Sequence, residues 1–267
     1  MARAALAQDG GGVRAHLSFA HLVRRFPDGV RALDDVSFDV PQGQFCVVLG
    51  RSGSGKTTLL RSVNGLTDLD GGAVRLGDTA MAPATLRAIR RKVAMVHQSF
   101  NLVERASVAA NVLSGAVAEA PAWRVHLGWY PAHLRARACA VLHRVGLDEI
   151  HLPRRAAALS GGQQQRVGIA RALLLDPEVI LADEPVASLD PRSGRRSRER
   201  GATVLCSLHQ TDLARDFADR IVGMRHGRVA FDGPPARFDA AAEAALYGAA
   251  DMPTRPAPRL IEDRIYA

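Results

Sequence analysis

The sequence has few cysteines, no long apolar run and no internal repeat, and each absence removes a class of protein. Its three cysteines, Cys46, Cys139 and Cys206, lie far apart with no Cys-x-x-Cys pair. That spacing excludes a disulfide framework and a cysteine zinc site, and leaves buried thiols of a reducing compartment. No segment approaches the roughly 18 apolar residues that a spanning helix requires, so a membrane connection is expected to run through a partner. The opening seven residues meet Gln8, Asp9 and three glycines at once, too short an apolar stretch for a secretory leader. The 24 glycines and 14 prolines are scattered without period, which excludes collagen-like and low-complexity chains.

What is present is ordinary globular material. The 267 residues are 47% hydrophobic, enough to bury the core of one large domain or two small ones. Thirty-five Lys and Arg against 27 Asp and Glu leave a formal charge of +8, which suits nucleic acid, nucleotides or an anionic surface without choosing among them.

The apolar pattern reads as an α/β chain. After a tail over residues 1–15, short apolar runs flank Pro27, Asp28 and Gly29, the pattern of a small antiparallel element about a turn. Phe45-Cys-Val-Val-Leu49 is a compact apolar run that stops at Gly50, and Leu59, Leu60 and Val63 follow at helical spacing; strand, loop and helix are expected. Short strands are expected over 74–76 and 93–96, with a helix carrying Leu86 and Ile89 between them. From about 98 to 158 strand signals vanish, and Leu134, Ala138, Val141, Leu142 and Val145 mark one face of a helix ending at Gly146. A helical insert is expected there. Strand signals return over 179–182, 203–208, 221–224 and 229–231. Buried strands alternating with helices imply a mostly parallel sheet, followed by a Pro- and Ala-rich tail over 249–267.

The chemistry is carried by three segments. Gly50-Arg-Ser-Gly-Ser-Gly-Lys56-Thr57 satisfies the phosphate-loop pattern in full, after a strand and before a helix. Glycines let successive amides turn inward around an anion at the positive end of the helix, a cradle running over Gly50, Ser52, Gly53, Ser54, Gly55, Lys56, Thr57 and Thr58. Lys56 adds a charge that follows the β- and γ-phosphates, and the Thr57 hydroxyl is the expected Mg²⁺ ligand. Asp183 and Glu184 end the strand over 179–182, at the carboxyl edge where open α/β sheets present ligands. One acid would serve a metal and the other would polarise water, help worth about 10² to 10⁴ in rate. Finally, Ser160, Gly161, Gly162 and Gln163 open a helix whose apolar face carries Val167, Ala170, Leu173 and Leu174. That helix end is either a second anion site or an ordinary serine cap.

In this order, over about residues 17–248, the motifs resemble the ATP-binding subunit of an ABC transporter. Residues 159–163 match the family's signature sequence, Gln98 the loop glutamine after the strand over 93–96, Ser188-Leu-Asp190 the loop beyond the acids, and His209 the switch histidine. Phe26 falls where the family stacks an aromatic ring on adenine, a core phenylalanine being the alternative. The resemblance implies a P-loop NTPase (RecA-like) core over 16–248, with the helical subdomain inserted at about 98–158. It implies ATP and Mg²⁺, with Lys56 and the loop amides on phosphate and Thr57, Gln98 and Asp183 on the metal. Glu184 would be the base, with His209 on the γ-phosphate. It also implies a head-to-tail homodimer in which Ser160 and Gly162, within the stretch Ser160, Gly161, Gly162 and Gln163, cap the ATP of the opposite subunit, with Asp190 nearby. Permease subunits and a substrate-binding protein are the implied partners, at the cytoplasmic face of the cell membrane, with no direct nucleic acid. Residues 100–103, 121–124 with 127–128, 184–190 and 231–235 resemble the phosphonate-importing branch. A soluble ABC ATPase acting on nucleic acid or ribosomes is the alternative; such proteins commonly carry two cassettes or a long coiled-coil insert, whereas this chain has one signature and a compact helical segment.

One stretch departs from the pattern. Only eighteen residues separate Asp190 from His209, whereas the family's spacer is longer by roughly three helical turns. Residues 191–201 contain no large apolar side chain and five arginines, the composition of a solvated connector. A parallel crossover needs at least about a dozen residues. The strand over 203–208 is therefore expected at a stability cost; reduced stability or misplacement of Asp190 and His209 is expected, and hence weak ATPase activity, which makes a hydrolysis-impaired subunit a third reading.

Overall fold

The computed structural model describes residues 15–96, 100–117, 119, 123, 125, 128–184 and 201–248; Gln98, Asp190, the 191–200 connector and both tails lie outside the described residues. Two sheets form the frame. In the first, β1 (Ala15–Arg25) pairs antiparallel with β2 (Arg31–Pro41) on one side and β4 (Gly71–Leu76) on the other, and β5 (Thr79–Ala80) extends β4. The second contains β3 (Phe45–Leu49), β6 (Val93–Val96), β7 (Val179–Asp183), β8 (Thr203–Leu208), β9 (Arg220–Arg225) and β10 (Arg228–Gly233), in the order β10-β9-β3-β8-β7-β6. Its pairings are parallel except for the β9–β10 hairpin at the edge. All five residues of β3 are buried, which is why the central strand reads as an unbroken apolar run.

Seven helices pack on this frame: α1 (Lys56–Val63), α2 (Leu86–Lys92), α3 (Val108–Leu113), α4 (Ala132–Arg144), α5 (Gly161–Leu173), α6 (Thr211–Phe217) and α7 (Ala240–Tyr247) among the described residues. Between the sheets, Leu17, Phe19, Leu22 and Phe38 meet Val48, Leu181 and Leu205, together with Leu59 and Leu60 of α1. On the other face of the parallel sheet, Val47, Ile180, Val204 and Cys206 meet Ile169 of α5, Ala214 of α6 and Leu246 of α7. A third cluster joins α3, α4 and α5 through Val108, Val112, Leu134, Val141 and Val167. Each buried Val, Leu, Ile or Phe among them contributes about 1.5–3 kcal/mol.

β8 follows the short connector, yet it is seated in register on both sides, from Phe45↔Val204 to Leu49↔Leu208 against β3 and from Val179↔Thr203 to Asp183↔Ser207 against β7. Its first residue, Thr203, is fully buried. The Thr203 hydroxyl accepts from Gly43 N at 3.0 Å and lies 2.6 Å from His16 Nδ1. The strand expected over 203–208 therefore forms. All three cysteines are free, Cys46 and Cys206 buried, and burial pushes the Cys46 thiol up to about 12. Among the described residues no helix is long and apolar enough to cross a membrane.

Candidate functional site

β3, β7 and β8 run parallel, so their carboxyl ends converge on one edge, and the loop between β3 and α1 folds over it. Two glycines of that loop are dictated by geometry. Gly50 has φ 152°, and a Cβ there would stand 2.3 Å from Met224 O; Gly55 has φ 104°, and its Cβ would stand 2.2 Å from Ala32 O. Gly55 is also the N-cap of α1, and no side chain caps that helix, so its first-turn amides have no partner within it. Ser52 and Gly53 are exposed at the top of the loop, Ser54 is buried, and Thr57 and Thr58 are half-buried.

Lys56 is only 4% exposed. Its ammonium donates to Gly50 O at 2.7 Å and Arg51 O at 3.0 Å. Burial pulls its pKa below the ordinary lysine range, opposed by the nearby Glu184 and Asp183 carboxylates. The loop is backed from behind by the β9–β10 turn, where Gly227 N donates to Ser54 O at 3.2 Å and Gly227 O accepts from Asp34 N at 2.9 Å. Tyr247, at the end of α7, is buried, and its hydroxyl lies against the Gly50 backbone without a well-aligned hydrogen bond. Burial pushes that hydroxyl up to about 12.

The acids join this loop directly. Thr57 Oγ1 donates to Asp183 Oδ1 at 3.1 Å, and Ser207 Oγ donates to the same oxygen at 3.0 Å. Glu184 N in turn donates to Ser207 Oγ at 2.9 Å. Glu184 takes a left-handed backbone, φ 46°, and its Oε1 lies 2.5 Å from His209 Nε2. The sequence reading missed Ser207; a lone serine in the apolar strand Thr-Val-Leu-Cys-Ser-Leu was its signal, because a fully buried hydroxyl needs partners. Thr57 and Asp183 are hard oxygen donors on one spot, which fits Mg²⁺, a cation held through one or two carboxylates plus substrate phosphates.

The structure thus brings Lys56, Thr57, Asp183, Glu184 and His209 to a single edge. Ser160 and Gln163 stand instead at the head of α5 as a capping box: Ser160 Oγ accepts from Gln163 N at 3.3 Å and Gln163 Oε1 accepts from Ser160 N at 3.0 Å. Gly161 and Gly162 are exposed there, and a Cβ on either would meet nothing within 4 Å. Phe26 is 37% exposed in the turn after β1, so it is not a core residue. The Arg24 guanidinium lies over its ring at 5.2 Å.

A family described as ABC transporter matches residues 33–187. The phosphonates import ATP-binding protein PhnC of Hyphomonas neptunium is 51% identical over 221 residues, covering 80% of this chain and 85% of the relative. That of Hydrogenovibrio crunogenus is 47% identical over 239 residues, covering 86% and 88%. Among solved structures, a nucleotide-free ATP-binding cassette from an ABC transporter matches with TM-score 0.71 at 26% identity, covering 82% of this chain and 91% of that one. A dimeric ATP-binding cassette in a post-hydrolysis state, bound to ADP and Pi, matches with TM-score 0.68 at 30% identity, covering 82% and 98%.

Proposed function

Because the chain belongs to the ABC transporter family, we propose that it is the ATP-hydrolysing subunit of a membrane importer for phosphonates or a related oxyanion. The observation that carries the reading is the junction of the uncapped phosphate loop with the acids, Thr57 on Asp183 and His209 on Glu184. The loop amides and Lys56 bind the β- and γ-phosphates, and the half-exposed Phe26 ring receives the base. Thr57 and Asp183, with Gln98, would hold Mg²⁺, which when bound neutralises charge on those phosphates.

Glu184 accepts a proton from water as the water oxygen attacks the γ-phosphorus and the bond to the bridging oxygen of ADP breaks. His209, hydrogen-bonded to Glu184, orients that carboxylate and contacts the γ-phosphate. These are positioning and electrostatic tasks, which phosphoryl transfer chiefly demands.

The exposed Ser160–Gly162 face is read as the contact that closes on nucleotide held by a second copy, head to tail; a related cassette solved as a dimer supports this. Spanning segments would come from permease partners at the cytoplasmic face, and a separate substrate-binding protein would choose the cargo. Phosphonate as that cargo rests on the relatives at 51% and 47% identity. The in-register β8 and the placement of His209 favour a competent subunit over a hydrolysis-impaired one.

Turnover of wild type beside Glu184→Gln tests the chemistry. We expect a fall of about 10² to 10⁴ with Mg·ATP binding retained by calorimetry. Equal rates would remove Glu184 as the base.

A further inference from the structure

His209 is held by more than β8. It and Gln210 form a two-residue link from the strand to α6, and Gln210 supplies no side-chain cap to that helix. Thr211 and Arg215, four residues apart on one face of α6, both donate to a single carboxylate. Thr211 Oγ1 lies 2.7 Å from Glu243 Oε1, and Arg215 Nη2 lies 2.6 Å from Glu243 Oε2.

Glu243 belongs to α7 and is only 8% exposed, so its charge depends on these donors. Arg215 is further fixed, donating Nε to Phe238 O at 3.2 Å with its guanidinium 5.4 Å above the Phe238 ring. α7 is anchored independently: Asp239 caps it through Ala242 N at 2.8 Å, and Arg225 of β9 donates to Ala245 O at 2.6 Å. Apolar packing sets how deep α6 lies. Directional bonds to a buried charge also set its rotation, and so the direction in which the link presents His209.

We propose that Glu243, acting through Thr211 and Arg215, is a positioning residue that fixes His209 against Glu184. This rests on the reading of His209 as a γ-phosphate contact.

The test is steady-state ATPase kinetics of the full chain, with Mg·ATP calorimetry and thermal melts. Thr211→Val, Glu243→Ala and Glu243→Gln are compared, together with Thr211→Val in a His209→Ala background. Thr211→Val and Glu243→Ala should lower kcat about tenfold, since small misplacements far from the chemistry carry such losses. KM and the Mg·ATP affinity should stay within about twofold of wild type, as for an interaction made only in the transition state. Glu243→Gln, whose amide oxygen still accepts from Thr211, should recover most of kcat. Thr211→Val should cost nothing further once His209 is alanine.

Should Glu243→Ala fail to fold, the nearly isosteric Thr211→Val decides. Unchanged kcat in that variant beside an impaired His209→Ala overturns the proposal alone, as does a loss that tracks melting temperature and adds in full to His209→Ala. Wild-type turnover in His209→Ala overturns the reading of His209 and the proposal with it.

Discussion

The chain carries two glycine-bearing helix starts that look alike in sequence and differ in what demands the glycines. Before α1 the demand is internal. Gly50 and Gly55 have positive φ, and a methyl on either would run into the backbone of β9 or β2. Before α5 it is not, because Gly161 and Gly162 have ordinary dihedrals and open space around them. The capping also divides. α1 has no side-chain cap, whereas Ser160 and Gln163 satisfy the head of α5 reciprocally. A helix that leaves its amides for a ligand and a helix that caps itself but keeps a bare outer face are suited to different visitors. The first suits an anion bound within the chain, and the second a surface that arrives from outside.

Substitutions can separate the two. The largest effect is expected at Gly55→Ala, which should cost about 3 kcal/mol of stability through strain and collision and abolish Mg·ATP binding; denaturant melts and calorimetry check both. Gly161→Ala should do the reverse. Its melting temperature should hold or rise, alanine favouring a helix by about 0.5–1 kcal/mol, while turnover falls at least about tenfold, or about 1.4 kcal/mol of barrier. Full turnover in that variant would mean that the open face touches nothing in catalysis.

Ser160→Ala should remove about 1 kcal/mol of stability with the capping box, read in the same melts. Smallest is Tyr247→Phe behind the phosphate loop. Its hydroxyl is buried without a well-formed bond, so stability should stay within about 0.5 kcal/mol of wild type or increase.

Local patterns made much of this legible. The Phe45–Leu49 run, the glycine loop and the α1 periodicity occupy one short stretch, and each announces the next. Asp183, Glu184 and His209 were legible as motif members, although only the fold places Glu184 and His209 side by side. Sheet order was not legible, because it depends on pairings such as Phe45↔Val204 that span most of the chain.

The contact between α7 and α6 was not legible either. Its sequence, Ala-Ala-Ala-Glu-Ala-Ala-Leu-Tyr, has little polar character, and nothing in it reveals that Glu243 will meet Thr211 and Arg215. The connector's composition told nothing of what seats β8, a strand held from both sides by β3 and β7 and at its start by His16 and Gly43.

The surface turns are not interchangeable as attachment points. Hairpin tips ordinarily tolerate added residues, yet the one at His226 and Gly227 is stitched by its main chain to Ser54 and Asp34. A tag inserted there would pull on the glycine loop before α1. At the β4–β5 tip Gly77 has open space around it but a left-handed φ of 53°, so a fluorophore there belongs on the exposed Asp78 beside it.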